Sequence, residues 1–125
     1  MARDSITTDK IAVPVGPFSA AIRAGEFLFL SGQIAQEPTT GRLVTGDAAA
    51  QTEQIFRNIR ALLQAAGKTL ADIVKVTVFL TDMGEFQALN AVYGRQFEQP
   101  YPARTTVAVA ALPLGAAVEL DVVAR

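Results

Sequence analysis

The spacing of apolar positions predicts a long helix and a buried strand near the middle of the chain. From Ala48 to Ala66 the apolar residues recur at helical spacing, and they are Ile55, Phe56, Ile59, Leu62, Leu63 and Ala66. Asp47 is a favourable N-cap for this helix, and Gly67 can take the left-handed conformation that ends it. From Ile73 to Leu80 a period-two pattern has apolar residues on both faces, which is typical of a strand inside a sheet.

The N-terminal third of the chain has the pattern of short strands and turns. Ser5 to Thr8 is a short candidate strand. The segments Ala20 to Arg23 and Phe27 to Ile34 are rich in β-favouring residues and predict a hairpin around Gly25 and its neighbour. The segment Glu37 to Gly41 predicts a turn.

The C-terminal third predicts a second helix and two strands. Asp82 and Glu85 have the spacing of a capping box that opens this helix, and Pro100 lies beyond its end. Its apolar stripe is Phe86, Leu89, Tyr93 and Phe97. Strands are predicted from Arg104 to Ala110 and from Val118 to Ala124. The element order indicates an α+β fold in which both helices cover one face of a mixed sheet and a partner subunit covers the other.

Composition also favours an oligomer. The chain has 125 residues, of which 50% are hydrophobic and 18% are charged. This length fits a single domain over residues 1–125. A small monomer must cover its surface with polar groups, and this chain has few of them, so we expect subunits to bury part of the apolar surface.

Charge and residue types exclude several classes of function. Eleven Lys and Arg stand against twelve Asp and Glu without a basic run, which disfavours a nucleic-acid partner because phosphate binding needs clustered cations. The chain has no Cys and no His, which excludes thiolate nucleophiles, zinc–sulfur sites and His general bases. No signal-peptide core or membrane-spanning apolar run occurs, so we expect a soluble cytoplasmic protein without a membrane partner.

Arg104 and Glu119 are the candidate chemical groups on the last two strands. Both have apolar strand neighbours, and the period-two pattern lets both project from the less apolar face, although their register does not follow from sequence. Arg104 suits a bidentate clamp on a carboxylate. Glu119 suits a general base that positions water, if partial burial raises its pKa toward neutrality. Taken alone, each residue more often has a plainer role as a solvated or ion-paired strand residue.

Four further residues are candidates for a binding cleft. Ser31 and Gly32 end an apolar strand, where Gly32 serves either a bulge or a close approach of the backbone to a ligand. Asn90 is more often solvated or bonded to a nearby loop, and Phe18 is more often a core residue than a pocket wall. The scattered carboxylates predict no metal site, and neither a phosphate-binding glycine loop nor a serine nucleophile elbow is present.

Seven blocks that cover nearly the whole chain match one known family in order and spacing. They are GPFS at 16–19, LFLSGQIA at 28–35, TGRLVTGD at 40–47, QTEQIFRNI at 51–59, AAGKTLADIVKVTVFLTDM at 65–83, LNAVYGRQF at 89–97 and PARTTVAVAALPLGAAVELDVVA at 102–124. With these blocks the chain resembles the reactive intermediate deaminase family, also called the RidA or YjgF family.

The resemblance implies a fold, an assembly and a reaction. The fold is chorismate-mutase-like, and the assembly is a homotrimer with clefts between its subunits. The reaction is the hydrolysis of 2-imino or enamine acids, such as 2-iminobutanoate and 2-iminopropanoate, to 2-oxo acids and ammonia. Pyridoxal-phosphate dehydratases release these imines from amino acids such as threonine and serine, and the deaminase itself needs neither cofactor nor metal.

The resemblance also implies a role for individual residues. Arg104, in the PAR motif, matches the carboxylate-binding arginine, and Glu119 matches the glutamate that holds and activates water. Ser31 and Gly32 match the segment that lines the cleft. Asn90 matches another cleft residue. Thr106, which stands where Cys is common, matches a position whose backbone amide assists binding.

Phe18 is the departure from the family that bears on the chemistry. The family usually has Tyr at this position, with its hydroxyl in the cleft. Phe18 keeps the shape and loses a hydrogen-bond donor, which is worth about 0.5–1.5 kcal/mol. We therefore expect a modestly slower reaction or a preference for more apolar substrate side chains.

Two other functions stay open at this stage. A non-catalytic trimer can bind 2-oxo acids or related carboxylates in the same cleft. In that case Glu119 has no catalytic role, and its replacement by Ala leaves binding intact. A pathway-specific deaminase for an aminoacrylate or another enamine is kept open by Phe18. Some relatives have been linked to RNA cleavage, and the net negative charge and the absence of His argue against that activity here.

Overall fold

Strands and helices follow one another along the chain in the predicted order. The computed structural model describes residues 2–125. Its strands are β1 (Asp4–Ile6), β2 (Ala21–Ala24), β3 (Phe27–Gln33), β4 (Ile73–Leu80), β5 (Ala103–Ala108) and β6 (Val118–Ala124), and its helices are α1 (Ala48–Ala65) and α2 (Phe86–Gly94). No helix in this part of the chain is long and apolar enough to cross a membrane.

The strands form one mixed sheet in the order β1-β2-β3-β6-β4-β5. Neighbouring strands are antiparallel except β4 and β5, which run parallel and are connected through α2. β4 lies inside the sheet between β6 and β5, as its two apolar faces predict. The predicted α+β class with a mixed sheet is therefore confirmed.

The apolar stripe of α1 packs on one face of this sheet. The Asp47 side chain caps the helix by accepting a hydrogen bond from the Ala50 N–H at 3.0 Å, and Gly67 follows the helix end at φ 77°. The fully buried stripe residues are Ile55, Phe56, Ile59, Leu62 and Leu63. Burial of each such side chain is worth about 1.5–3 kcal/mol. Leu89 and Tyr93 of α2 join the same core, so both helices cover the same face.

The start of α2 differs from the predicted one. The spacing of Asp82 and Glu85 predicts a capping box, but the Asp82 side chain accepts a hydrogen bond from the Gly84 N–H at 2.8 Å. A bond to the residue two positions on closes a tight turn instead of the first turn of an α-helix. A 3-10 turn over Met83–Glu85 therefore follows Asp82, and α2 begins only at Phe86.

The sheet face away from the helices is only partly covered. Alternation along β6 buries Val118, Leu120 and Val122 under the helices, and it turns Glu119 and Asp121 to the opposite face. Large apolar side chains of this open face are exposed as well, and they are Phe27, Phe29 and Val107. The open face is the one for which the sequence predicts a partner subunit.

Candidate functional site

A cleft of about 890 Å³ opens at the end of β3. Its walls include residues 11–15, 38–41 and 113–114. Of the predicted site residues, it contains Phe18, Ser31, Gly32 and Glu119. Its volume lies in the range of small-molecule sites. A second hollow of about 510 Å³, near the C-terminal end of α1, contains none of the predicted site residues.

Glu119 enters the cleft through the space left by the missing side chain of Gly32. The register between β3 and β6 shifts between Leu30 and Gln33, so Gly32 lies in a bulge. A Cβ atom built on Gly32 would lie 1.9 Å from Oε2 of Glu119. The bulge and the close approach that the sequence left as alternatives occur together, and the group that approaches the backbone is the Glu119 side chain.

The surroundings of Glu119 raise its pKa. Partial burial is the larger cause, because it disfavours the charged carboxylate, and the nearby charge of Asp121 adds to it. The side chain is half-buried and lines the cleft. A carboxylate with a pKa moved toward neutrality is a better proton acceptor for bound water. Within residues 2–125, no third ligand joins these two acids to form a metal site.

Ser31 fixes the segment that carries Phe18. Its N–H donates to the Ala20 carbonyl at 2.9 Å, and its Oγ donates to the Ser19 carbonyl at 2.6 Å. The Phe18 N–H donates to the Gly16 carbonyl at 2.9 Å. The Phe18 side chain is 53% exposed and lines the cleft, so it is a pocket wall and not a core residue.

Buried polar side chains of α1 hold the chain around the cleft. Asn58 Nδ2 donates to the carbonyl of Gln36, a cleft residue, at 3.0 Å. Gln51 Oε1 accepts a hydrogen bond at 2.9 Å from the N–H of Ala117, two residues before Glu119. Because α1 packs in the core, these bonds tie the cleft to the core.

Arg104 and Asn90 form a second group, outside this cleft. Arg104 Nη1 donates to Oδ1 of Asn90 at 2.8 Å. The guanidinium carbon also lies 4.6 Å from the ring centroid of Tyr93 and 5.5 Å from that of Phe86. Asn90 therefore bonds to the candidate anion-binding residue and not to a loop. In the described chain Arg104 forms no salt bridge.

The prediction that Arg104 and Glu119 project from one face is wrong. β5 pairs with β4 in parallel, and Arg104 is opposite Val76, which is buried under the helices. β6 pairs with β4 from the other side, and Glu119 is opposite Phe79 of the open face. Paired residues point to the same side of a sheet. The guanidinium and the carboxylate of one chain therefore lie on opposite faces.

Thr106 follows the same alternation as Arg104 and lies on the helix side of β5. Its Oγ1 and the hydroxyl of Tyr93 are buried without a hydrogen-bond partner among the described residues. The sequence assigned Tyr93 and Phe86 to a buried stripe and missed their contact with Arg104. The signal lay in the spacing, because Phe86, Asn90 and Tyr93 recur at intervals of four and three, on one helix face.

Comparison with known proteins identifies the family. The family profile described as Endoribonuclease L-PSP matches residues 8–125. The crystal structure of RidA from the Antarctic bacterium Psychrobacter sp. PAMC 21119 is 44% identical, with 98% of this chain and 99% of that chain covered and a TM-score of 0.94. The chain belongs to the RidA/YjgF family.

Relatives in the RidA/YjgF family have names of different specificity. A RutC family protein of Pyrococcus horikoshii is 45% identical, with 98% of this chain and 97% of the relative covered. The 2-iminobutanoate/2-iminopropanoate deaminase of Dermatophagoides farinae is 40% identical, with 93% of this chain and 91% of the relative covered. The mixed sheet with two helices on one face is the RidA/YjgF fold, so the predicted fold and family are confirmed.

Proposed function

We propose that this protein hydrolyses 2-imino and enamine acids, such as 2-iminobutanoate and 2-iminopropanoate, to 2-oxo acids and ammonia. The observation that carries the proposal is the pair of complementary half-sites. One holds a guanidinium that forms no salt bridge within residues 2–125, and the other holds a carboxylate of raised pKa in a cleft. The guanidinium binds a substrate carboxylate, and the Glu119 carboxylate positions water and accepts a proton from it.

The two half-sites require a second copy of the chain. Arg104 and Glu119 lie on opposite faces of one sheet, so a substrate that touches both must lie between two subunits. A head-to-tail contact that joins unlike surfaces gives a ring when its rotation closes, and a homotrimer is such a ring. The exposed apolar side chains of the open face, Phe27, Phe29 and Val107, support burial of that face against a neighbour.

The reaction divides between the two groups. Arg104 of one subunit binds the carboxylate of the protonated imine through paired N–H donors. Glu119 of the next subunit accepts a proton from water while the water oxygen bonds to the imine carbon. Glu119 returns that proton to the nitrogen of the resulting carbinolamine. The C–N bond then breaks and ammonia leaves, and the hydroxyl proton passes to this ammonia, giving ammonium, as the 2-oxo acid forms. Because the protonated imine is already electrophilic, positioning supplies most of the required acceleration.

The cleft walls favour apolar substrate side chains. Val13 and Val15 are 81% and 90% exposed, and together with Phe18 they line the cleft near Glu119. An apolar wall binds a hydrocarbon group by removing its surface from water. This supports a preference for imines with apolar side chains within the proposed reaction, and Phe18 is the residue on which that preference rests.

The decisive experiment couples a threonine dehydratase to this protein and follows the loss of 2-iminobutanoate, with semicarbazide as the trap for residual imine. We expect acceleration by the wild type, none by Arg104→Ala or Glu119→Ala, and unchanged assembly of both variants by size-exclusion chromatography. Arg60→Ala, which removes an exposed arginine outside the cleft, serves as the control. Full activity of Arg104→Ala would contradict the proposal.

A second measurement separates catalysis from binding alone. If the protein only binds 2-oxo acids, the wild type does not accelerate imine loss, while calorimetry still detects the binding of 2-oxobutanoate. If it is a deaminase, Glu119→Ala loses turnover while Arg104 still supports 2-oxobutanoate binding. Acceleration with a leucine-derived imine but not with 2-iminobutanoate would identify the more specific deaminase.

A further inference from the structure

Two aromatic rings and one amide surround the guanidinium of Arg104. The guanidinium carbon lies 4.6 Å from the Tyr93 ring centroid and 5.5 Å from that of Phe86, both within the range of cation–π attraction. Asn90 accepts a hydrogen bond from Nη1 at 2.8 Å. These three contacts come from one face of α2, because the residues are spaced four and three apart.

We propose that Tyr93 and Phe86 are positioning residues that orient the Arg104 guanidinium for a substrate carboxylate. The inference rests on the proposed role of Arg104 in binding that carboxylate. The rings contact the guanidinium without accepting its in-plane N–H groups, and Asn90 accepts a single N–H. The remaining N–H groups keep their hydrogen-bonding capacity for a bidentate partner.

Neutral contacts orient the arginine without cancelling its charge. A carboxylate next to Arg104 would occupy the N–H groups that a substrate needs, and the described chain provides no such salt bridge. Burial raises the pKa of Tyr93, and Arg104 only partly opposes this, so the phenol stays neutral beside the cation. Restricting a flexible side chain before binding lowers the entropy lost when the ligand arrives.

The Tyr93 ring belongs to an aromatic cluster beneath the guanidinium. Its centroid lies 5.9 Å from that of Phe56 and 5.0 Å from that of Phe97. Its hydroxyl is buried and has no hydrogen-bond partner among residues 2–125. The ring face, and not the hydroxyl, is therefore the part of Tyr93 that acts on Arg104.

The test compares four variants by three measurements. Tyr93→Leu and Phe86→Leu remove a ring from the guanidinium, and Tyr93→Phe keeps the ring without the hydroxyl. Phe97→Leu is the matched control, because its ring packs on Tyr93 and Phe56 in the same cluster. The measurements are the Kd for 2-oxobutanoate by calorimetry, the separate kcat and KM for 2-iminobutanoate, and Tm.

We expect Tyr93→Leu and Phe86→Leu to raise Kd and KM about five- to thirty-fold, with a smaller change in kcat. Tyr93→Phe should stay within about twofold of the wild type, and Phe97→Leu should lower Tm without this rise in Kd. An equal Kd in Tyr93→Leu and Phe97→Leu would overturn the inference and leave the deaminase proposal standing. Failure of the wild type both to bind 2-oxobutanoate and to accelerate imine loss would instead refute the proposed function.

Discussion

The carboxylate of Glu119 occupies the space that a side chain at residue 32 would need. A Cβ atom on Gly32 would lie 1.9 Å from Oε2 and 2.8 Å from Cδ of Glu119. Gly32 has no positive φ, so its backbone conformation is open to other residues and the missing Cβ alone creates the space. This contact determines where the carboxylate lies in the cleft.

Gly32→Ala should therefore displace the Glu119 carboxylate and leave the fold intact. The atoms that clash belong to the outer part of a flexible side chain, which can rotate away from the new methyl group. We expect kcat to fall about ten- to a hundred-fold, because small displacements of a catalytic group are costly. Steady-state kinetics on 2-iminobutanoate and a thermal melt check the two halves of this prediction.

Gly94→Ala is the matched control for this substitution. Gly94 is the last residue of α2, and a Cβ built there has no atom within 4 Å among the described residues, apart from its chain neighbours and the backbone of its own helix. The change should leave kcat unaltered and stabilise the fold by up to about 0.5–1 kcal/mol. A wild-type kcat in Gly32→Ala would mean that the position of the Glu119 carboxylate does not limit the reaction.

Asp121→Asn should shift the pH dependence of catalysis to lower pH. Burial raises the pKa of Glu119, and the charge of Asp121 raises it further. Glu119 is the general base of the proposed reaction, and a general base works when ionised, so we expect activity to fall as pH falls through the pKa of Glu119. Removing the second cause lowers that pKa, and the acidic limb of kcat/KM moves with it.

The profile of kcat/KM against pH measures this shift. Protonation of the imine itself contributes equally in both proteins, so the difference between the profiles reports a group on the enzyme. Asp9→Asn, an exposed carboxylate, should leave the limb where it is. A limb that stays in place or moves to higher pH in Asp121→Asn would show that Glu119 is not the group observed.

Glu119→Gln should stabilise the folded protein at neutral pH. A carboxyl group with a pKa raised by folding contributes stability below its unfolded pKa, and this contribution is lost as pH rises through the folded pKa. Above that pH the charged Glu119 opposes folding, so the uncharged amide should give the higher Tm. The advantage should vanish near pH 4, about the pKa of an unfolded Glu. Thermal melts over this pH range check the prediction, and a lower Tm for Glu119→Gln at pH 8 would contradict it.

Hydrophobic periodicity was sufficient for most of the fold. The predicted bounds of β4 and β6 agree with the observed strands, and α1 differs from its prediction by one residue at its C-terminus. The faces of β6 were predicted as well, because alternation alone determines which residues share a side. The start of α2 was not predicted correctly. The Gly84 N–H donates to the Asp82 side chain, and this competing bond depends on local backbone geometry that residue spacing does not reveal.

The candidate site shows where sequence reasoning reaches its limit. Alternation within β5 separates Arg104 from Val107, and alternation within β6 separates Glu119 from Leu120. Neither pattern determines which face of β5 lies on the same side of the sheet as a given face of β6. That relation depends on β4, which pairs with both strands and places Val76 and Phe79 on opposite faces. The contact between Arg104 and Tyr93 likewise depends on packing between α2 and β5.

In the proposed reaction each active site takes Arg104 from one chain and Glu119 from another, so mixing two inactive variants should restore activity. The Arg104→Ala chain keeps Glu119, and the Glu119→Ala chain keeps Arg104. In a mixed trimer, the interface at which these two intact residues meet forms a complete site. Co-expression with different affinity tags, followed by purification on both, should recover about a third of the wild-type sites, because each mixed trimer has one complete site out of three. Two differently tagged copies of Arg104→Ala serve as the control and should stay inactive. If the mixed trimers of the two variants are also inactive, the two residues do not act across an interface, and the opposite faces on which they lie would exclude a shared site.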